Sequence, residues 1–305
     1  MRLLEPTAVL SKTLPVILNC KAGGGHSRAQ VEELSKAFDG TGIDPEILPC
    51  ESGESLRELL RETLKERPPV IVAAGGDGTV SAVAEALHGT STALGVLPLG
   101  TLNHFAKDLG LPLDAAQAAR VIAEGRRARV DLGVVNGRSF INNASLGIYP
   151  KIVRERTDRQ RRFGHSKRTA MLWATLAVLD RPALLELRLE LDDRVHDCRA
   201  PFVFVGNNDY ALEGFEIGTR PRLDAGQLNV YTTKRCSALG LLGLALRAMF
   251  GRLRQADDFM KSAVRSLRVE SRRPRLTVAL DGELATLETP LEFKILPKAL
   301  QVIAP

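Results

Sequence analysis

Short apolar runs alternate with helix-spaced segments through the first part of the chain. Pro15–Cys20 is an apolar run that ends in Lys21-Ala22-Gly23-Gly24-Gly25. Val31, Leu34 and Phe38 then recur at helical intervals within 27–38, and Pro45–Leu48 predicts a short strand. Leu56, Leu59, Leu60 and Leu64 predict a helix that stops at Pro68-Pro69. Val70–Ala74 is apolar at every position, as a strand covered on both faces must be. It runs into Gly75-Gly76-Asp77-Gly78-Thr79 and a helix carried by Val80, Val83, Ala84 and Leu87. Thr92–Leu97 is the next strand, followed by Pro98-Leu99-Gly100-Thr101-Leu102-Asn103, a short helix and a longer one over 115–124. This order predicts an α/β domain built on a parallel sheet.

After Asp131 the pattern changes. Val130–Val135, Asn136-Gly137 and Arg138–Asn142 predict a hairpin with a two-residue turn. Leu185–Leu191 alternates apolar and polar positions and returns through Arg194–Val205 after Asp192-Asp193. Gln227–Thr233, Ser266–Glu270, Leu276–Leu280 and Leu291–Leu296 predict further strands, with a helix near 238–251 among them. The second domain is therefore mostly antiparallel. The expected division is 1–132 and 133–297, with the last strand, 299–303, and the residues 298–305 around it returning to the first domain.

Composition narrows the class. The chain has 305 residues, 44% hydrophobic and 26% charged, which excludes wholesale disorder. The four cysteines form no CxxC pair and the five histidines show no metal-ligand spacing, which argues against a disulfide scaffold and a zinc ribbon. No targeting segment is visible, and the most apolar run, 238–246, is far too short to span a membrane. A cytoplasmic protein is expected. The net charge of +6 is unevenly spread: 151–168 and 247–275 are each strongly basic, and the remainder is acidic on balance. Two readings fit, solvated helix faces or a surface for anionic headgroups at the inner face of the plasma membrane. With aromatics at 5% and none interleaved with the charges, nucleic acid is not an expected partner.

The strongest chemical signal is Gly75–Thr79. It closes a buried strand and opens a helix, which puts it at the carboxyl end of a parallel sheet, where ligands bind. Glycines let the backbone approach a phosphate, and the helix start supplies amide donors. Asp77 would repel phosphate unless Mg²⁺ lies between them; otherwise it is a helix N-cap. The turns after Pro15–Cys20 and Thr92–Leu97 are also glycine-containing. Neither is a Walker A loop or a dinucleotide fingerprint, but three such turns on successive parallel strands would converge on one nucleotide crevice.

GGDGT, then PLGTLNHFAKDLGLP, the strand–Asn–glycine turn at Asn19 and a late Asp281-Gly282-Glu283 together resemble the diacylglycerol kinase catalytic family. The small soluble bacterial lipid kinases, related to sphingosine and ceramide kinases, are most similar. The resemblance covers essentially the whole chain. It implies an N-terminal α/β nucleotide-binding domain similar to NAD kinase and 6-phosphofructokinase, a C-terminal antiparallel β-sandwich, and ATP with Mg²⁺ in the cleft between them. It places Asn19, Gly23, Gly75, Gly76, Asp77, Gly78, Thr79, Thr101 and Asn103 around ATP. It assigns Asp77, Asp131 and Asp224 to metal and draws the base for a lipid hydroxyl from Asp281 or Glu283.

Three departures from the family pattern stand out. His104 replaces a common Asp, Ala225 replaces the second carboxylate of an Asp-Asp-Gly that helps hold a structural Mg²⁺, and Cys50 replaces a common Thr. The leading expectation is an ATP-dependent lipid kinase. The rivals are a kinase for a soluble substrate of the NAD type, whose Asn-Glu ribose motif is missing, and a non-catalytic sensor of nucleotide or anionic lipid. The acceptor lipid and the oligomeric state, a homodimer included, are not written in the residues.

Overall fold

The computed structural model describes residues 3–6, 13–20, 28–124, 126–148, 150, 153, 184–211, 218–233 and 259–305. Gly23, the helix expected near 238–251 and nearly all of the basic stretch 151–168 lie outside them. The chain divides into two units, one formed by Met1–Leu132, Arg222–Ala225 and Pro297–Pro305, the other by Gly133–Pro221 and Gly226–Leu296.

In the first unit the alternation seen in the sequence becomes β1 (Leu3–Pro6), β2 (Thr13–Asn19), α1 (Arg28–Lys36), β3 (Asp44–Cys50), α2 (Gly53–Lys65), β4 (Val70–Gly75), α3 (Asp77–Leu87), β5 (Ala93–Pro98), α4 (His104–Asp108) and α5 (Ala115–Glu124). The parallel order is β3-β2-β4-β5. β4 and β5 are buried at all six positions, which is why their sequences show no alternation. Helix α2 starts with a capping box between Ser52 and Ser55. Helix α3 packs on β4 and β5.

The remaining strands are β6 (Arg126–Val135), β7 (Arg138–Phe140), β8 (Asn143–Gly147), β9 (Leu185–Leu191), β10 (Arg194–Ala200), β11 (Phe202–Asn207), β12 (Leu228–Thr233), β13 (Phe259–Val264), β14 (Ser266–Ser271), β15 (Arg275–Leu280), β16 (Glu283–Glu288) and β17 (Leu291–Ile303). In the second unit, β10, β9, β14 and the start of β17 pair antiparallel, and a six-stranded antiparallel sheet runs β13-β12-β11-β8-β15-β16. One core joins the two layers, with Leu189, Val269 and Phe293 from the first and Leu146, Val203, Val230 and Val278 from the second. This is the β-sandwich.

Three details differ from the sequence pattern. The single strand expected over 194–205 is two, β10 and β11, in different sheets; Pro201 between them has no N–H for a ladder. The strands expected at 291–296 and 299–303 are one. Lys298 turns to φ 54° there, and its N–H bonds the Asp131 carboxylate at 2.7 Å. The hairpin return expected over 138–142 stops at Phe140, because the next backbone amides are committed elsewhere, as described below.

Candidate active site

The first unit gathers three strand ends. Asn19, at the end of β2, donates its side-chain N–H to the Thr79 hydroxyl in the first turn of α3 at 2.9 Å. The Gly75 carbonyl accepts from Leu99 N–H at 3.0 Å, joining the ends of β4 and β5. Gly76 and Gly100 meet backbone to backbone: a methyl group on Gly100 would lie 2.5 Å from Gly76 Cα and 2.7 Å from Asn103 Oδ1. Gly75 is under a similar constraint, since a methyl there would fall 2.6 Å from the Thr79 hydroxyl. Glycine is required at both for steric reasons.

Asp77 occupies the first position of α3, while Gly76 is the N-cap and no side chain caps the helix. The Asp77 carboxylate is half-exposed, and its bond to Phe105 N–H is long, 3.4 Å. It is not consumed by the turn. Asn103 is: in a left-handed conformation (φ 51°) and buried, it accepts from Gly100 N–H at 3.0 Å and donates to the Gly100 carbonyl at 2.9 Å. Thr101, Leu102 and His104 beside it are exposed.

The remaining carboxylates assigned to metal are engaged. Asp131 is buried and holds the Lys298 amide. Asp224 faces the Arg222 guanidinium at 3.4 Å, with Ala225 next in the chain. Among the described residues no group of three or more acidic, His or Cys side chains could hold a metal. A phosphate-bound Mg²⁺ needs only one or two carboxylates, and Asp77 fits that role. The two-carboxylate structural site of the family pattern does not fit Asp224-Ala225. Cys50 is buried at the end of β3, in register with Asn19.

The second unit holds Asp281-Gly282-Glu283 in the turn between β15 and β16. Asp281 (φ 47°) accepts three backbone bonds: Ile141 N–H at 2.8 Å, Asn142 N–H at 2.8 Å and Asn143 N–H at 2.9 Å. The carbonyl side of the same strip is held as firmly. Arg220, 3% exposed, donates to the Ile141 carbonyl and the Asn142 side chain, both at 2.6 Å, and Tyr210 O–H donates to the Asn142 carbonyl at 3.0 Å. Asn207 adds bonds from its side chain to Ile141 and from its N–H to Asn142. These donors occupy both carboxylate oxygens, so Asp281 holds the 141–143 strip in place. Glu283 is exposed and has no such partners among the described residues. The Asn142-Asn143 and Asn207-Asn208 doublets at strand ends were the sequence signal for this network. The doublets look like ordinary turn residues in the sequence, and Arg220 and Tyr210 carry no sequence signal at all.

Two family models match the chain: the diacylglycerol kinase catalytic domain over 13–135, and the YegS C-terminal NAD kinase beta sandwich-like domain over 145–304. A relative named probable lipid kinase YegS-like, from Pseudomonas aeruginosa (strain UCBPP-PA14), is 32% identical over 299 residues, covering 96% of this chain and 94% of its own length. A diacylglycerol kinase from Staphylococcus carnosus (strain TM300) is 24% identical over 299 residues, 97% of this chain and 96% of that one. In fold the chain is similar to the crystal structure of a putative diacylglycerol kinase from Bacillus anthracis str. Sterne, with TM-score 0.77, 22% identity and coverage of 98% and 99%. No helix among the described residues is long and apolar enough to cross a membrane.

Proposed function

The chain belongs to the diacylglycerol kinase catalytic family, with the YegS-type β-sandwich, and on that premise we propose that it transfers the γ-phosphoryl group of ATP to the hydroxyl of a glycerolipid. The observation that carries the reading is Asp77: a half-exposed carboxylate, spent on no cap, at the junction of two glycine turns. Mg²⁺ bound there would neutralise charge on the phosphates. Glycines 75, 76 and 78 and the α3 amides admit the phosphates, with Asn19 and Thr79 fixing the helix start. Asn103 shapes the second turn, and Thr101 is left free to meet nucleotide. Asp131 and Asp224 hold structure instead of the reacting metal. Of the Asp-Gly-Glu carboxylates, Glu283 takes the hydroxyl proton and Asp281 positions the turn.

Contact with anionic membrane through 151–168 completes the proposal. Incubation with γ-labelled ATP, Mg²⁺ and total lipid, followed by mass spectrometry of the labelled product, tests it. A phosphorylated lipid is expected. Label transferred only to a soluble acceptor would move the protein to a different kinase class, and nucleotide binding without turnover would make it a sensor.

A further inference from the structure

One peptide group of the second unit is gripped by opposite charges at its two ends. The Asn142 N–H donates to the Asp281 carboxylate at 2.8 Å, and the Ile141 carbonyl of the same peptide accepts from the Arg220 guanidinium at 2.6 Å. The next peptide is held in the same sense, its Asn143 N–H on Asp281 at 2.9 Å and its Asn142 carbonyl on the Tyr210 O–H at 3.0 Å. Hydrogen bonds in such a chain polarise one another, so a cation on the carbonyl side strengthens the bond from the amide to the anion. Arg220 and Asp281 are an ion pair joined through a peptide.

Arg220 is built into this place. It is 3% exposed and lies 5.6 Å from the centre of the Tyr210 ring. It also donates to the Asn207 carbonyl at 3.2 Å and to the Asn142 side-chain oxygen at 2.6 Å. Acceptors spread in this way suit a planar fork and not the point charge of a lysine. The strip carbonyls have other donors, since Asn207 gives its side-chain N–H to Ile141 and its backbone N–H to Asn142. The guanidinium is therefore not needed merely to satisfy them.

What the strip holds is the turn that carries Glu283. Asp281 returns its own N–H to the Asn143 carbonyl at 2.9 Å, so the strip binds both its carboxylate and its backbone. Glu283 follows two residues later, in register with Leu280 at the start of β16. The strip sets the turn, and the turn sets Glu283.

We propose that Arg220 is a positioning residue for the reaction: acting through the peptide between Ile141 and Asn142, it fixes Asp281 and so holds Glu283 where it meets the acceptor hydroxyl. The inference rests on the kinase reading, with Glu283 as the base, but the grip itself can be measured without turnover.

Amide hydrogen exchange on the full chain reads the grip. Arg220→Lys keeps the charge and gives up the fork, and it should speed exchange of the Asn142 and Asn143 amides about tenfold, the worth of a bond to a charged group. Turnover with total lipid extract in detergent micelles should fall about tenfold or more, because a small misplacement of a catalytic group is costly. The KM for ATP should hold, since the nucleotide is assigned to the first unit. On an Asp281→Asn background the same substitution should lower turnover by no more than about twofold, its route to Glu283 being already cut. Tyr210→Phe removes a second donor from the strip and leaves Asn207 on the same carbonyl; it is the milder variant and should move exchange and turnover in the same direction by about threefold, whether or not Arg220→Lys folds. Val269→Ala opens a cavity in the sandwich core and serves as the stability control, with a lowered melting temperature and unchanged turnover. Unchanged exchange or turnover in the strip variants, a KM for ATP that rises in step, losses that multiply in the double variant, or an equal loss of turnover in Val269→Ala would overturn the proposal. No phosphorylated product from the unsubstituted protein would sink the kinase reading, and the exchange rates would then decide the grip by themselves.

Discussion

Asp77 stands at the start of α3 without capping it, so its charge is available for chemistry. Asp77→Asn should lower turnover by about 100-fold or more, since removing a charge-stabilising group costs several kcal/mol in the transition state. The melting temperature should stay put, because no cap is lost. Near-normal turnover in steady-state assays would reduce the glycine motif to a turn. The Asp-Gly-Glu carboxylates should separate in the opposite sense. Glu283→Gln should lower kcat by about 100-fold or more with unchanged stability. Asp281→Asn faces an NH₂ group towards backbone donors and leaves at least one buried N–H unpaired, a cost of about 1–3 kcal/mol each. It should lower the melting temperature by several degrees, read by calorimetry alongside activity. If Asp281→Asn melts normally and Glu283→Gln turns over normally, the roles are reversed. Burial pushes the Cys50 thiol up to about 11, and Cys20 beside it adds to the shift. A raised thiol value means stability that is intact below the ordinary thiol range and declines as pH climbs through it towards 11. Native Cys50 should therefore resist iodoacetamide at pH 8 and react only after denaturation, as peptide mass spectrometry would show.

At the scale of elements, the approach of the β4–α3 and β5–α4 turns depends on the absence of side chains. Gly100→Ala sets a methyl 2.5 Å from Gly76 Cα, a backbone atom that cannot swing aside. The turns must separate, at a cost of about 1–3 kcal/mol, and ATP binding by calorimetry should weaken at least tenfold. Gly53→Ala, in the first turn of α2 with nothing near its new methyl, is the control and should leave ATP binding unchanged. The contrast explains what could be read in advance. β4 and β5 are legible because burial on both faces demands apolar residues throughout, and the glycine turns because their close approach leaves no room for a side chain. β1, β8, β13 and β16 do not stand out in the sequence pattern. β8 opens with Asn143, whose amide serves Asp281, so its polar start looks like loop. β16 is an edge strand whose burial never rises above half, and Glu283 and Leu284 break its alternation. The Asp281 cradle was illegible because it joins residues about 140 positions apart through backbone amides, and amides carry no residue signature.

For the whole molecule, the chain passes between its units at 132/133, 221/222, 225/226 and 296/297, so neither unit is a single continuous segment. Its charge is as unevenly laid out as its path. Much of the positive charge on the second unit's described strands is matched: Arg268 reaches Glu270 and Glu292, Arg275 reaches Glu288, and Lys261 reaches Asp209. By contrast 151–168 carries eight basic residues against Glu155 and Asp158 and contains no long apolar run. Such a stretch should bind anionic vesicles in a salt-sensitive manner and neutral vesicles weakly, because its attraction is screened within a Debye length. Each basic residue at an anionic surface is worth about 1 kcal/mol at low salt. Replacing Arg159, Arg161 and Arg162 by Ala should then weaken flotation with anionic vesicles by tens of fold. Activity on a vesicle-borne acceptor should fall in step, and activity on a short-chain, water-soluble acceptor should hold. Flotation equal to wild type would make 151–168 a solvated surface. Equal losses on both acceptors would instead put those arginines at the reaction itself, where the salt dependence of flotation would no longer track activity.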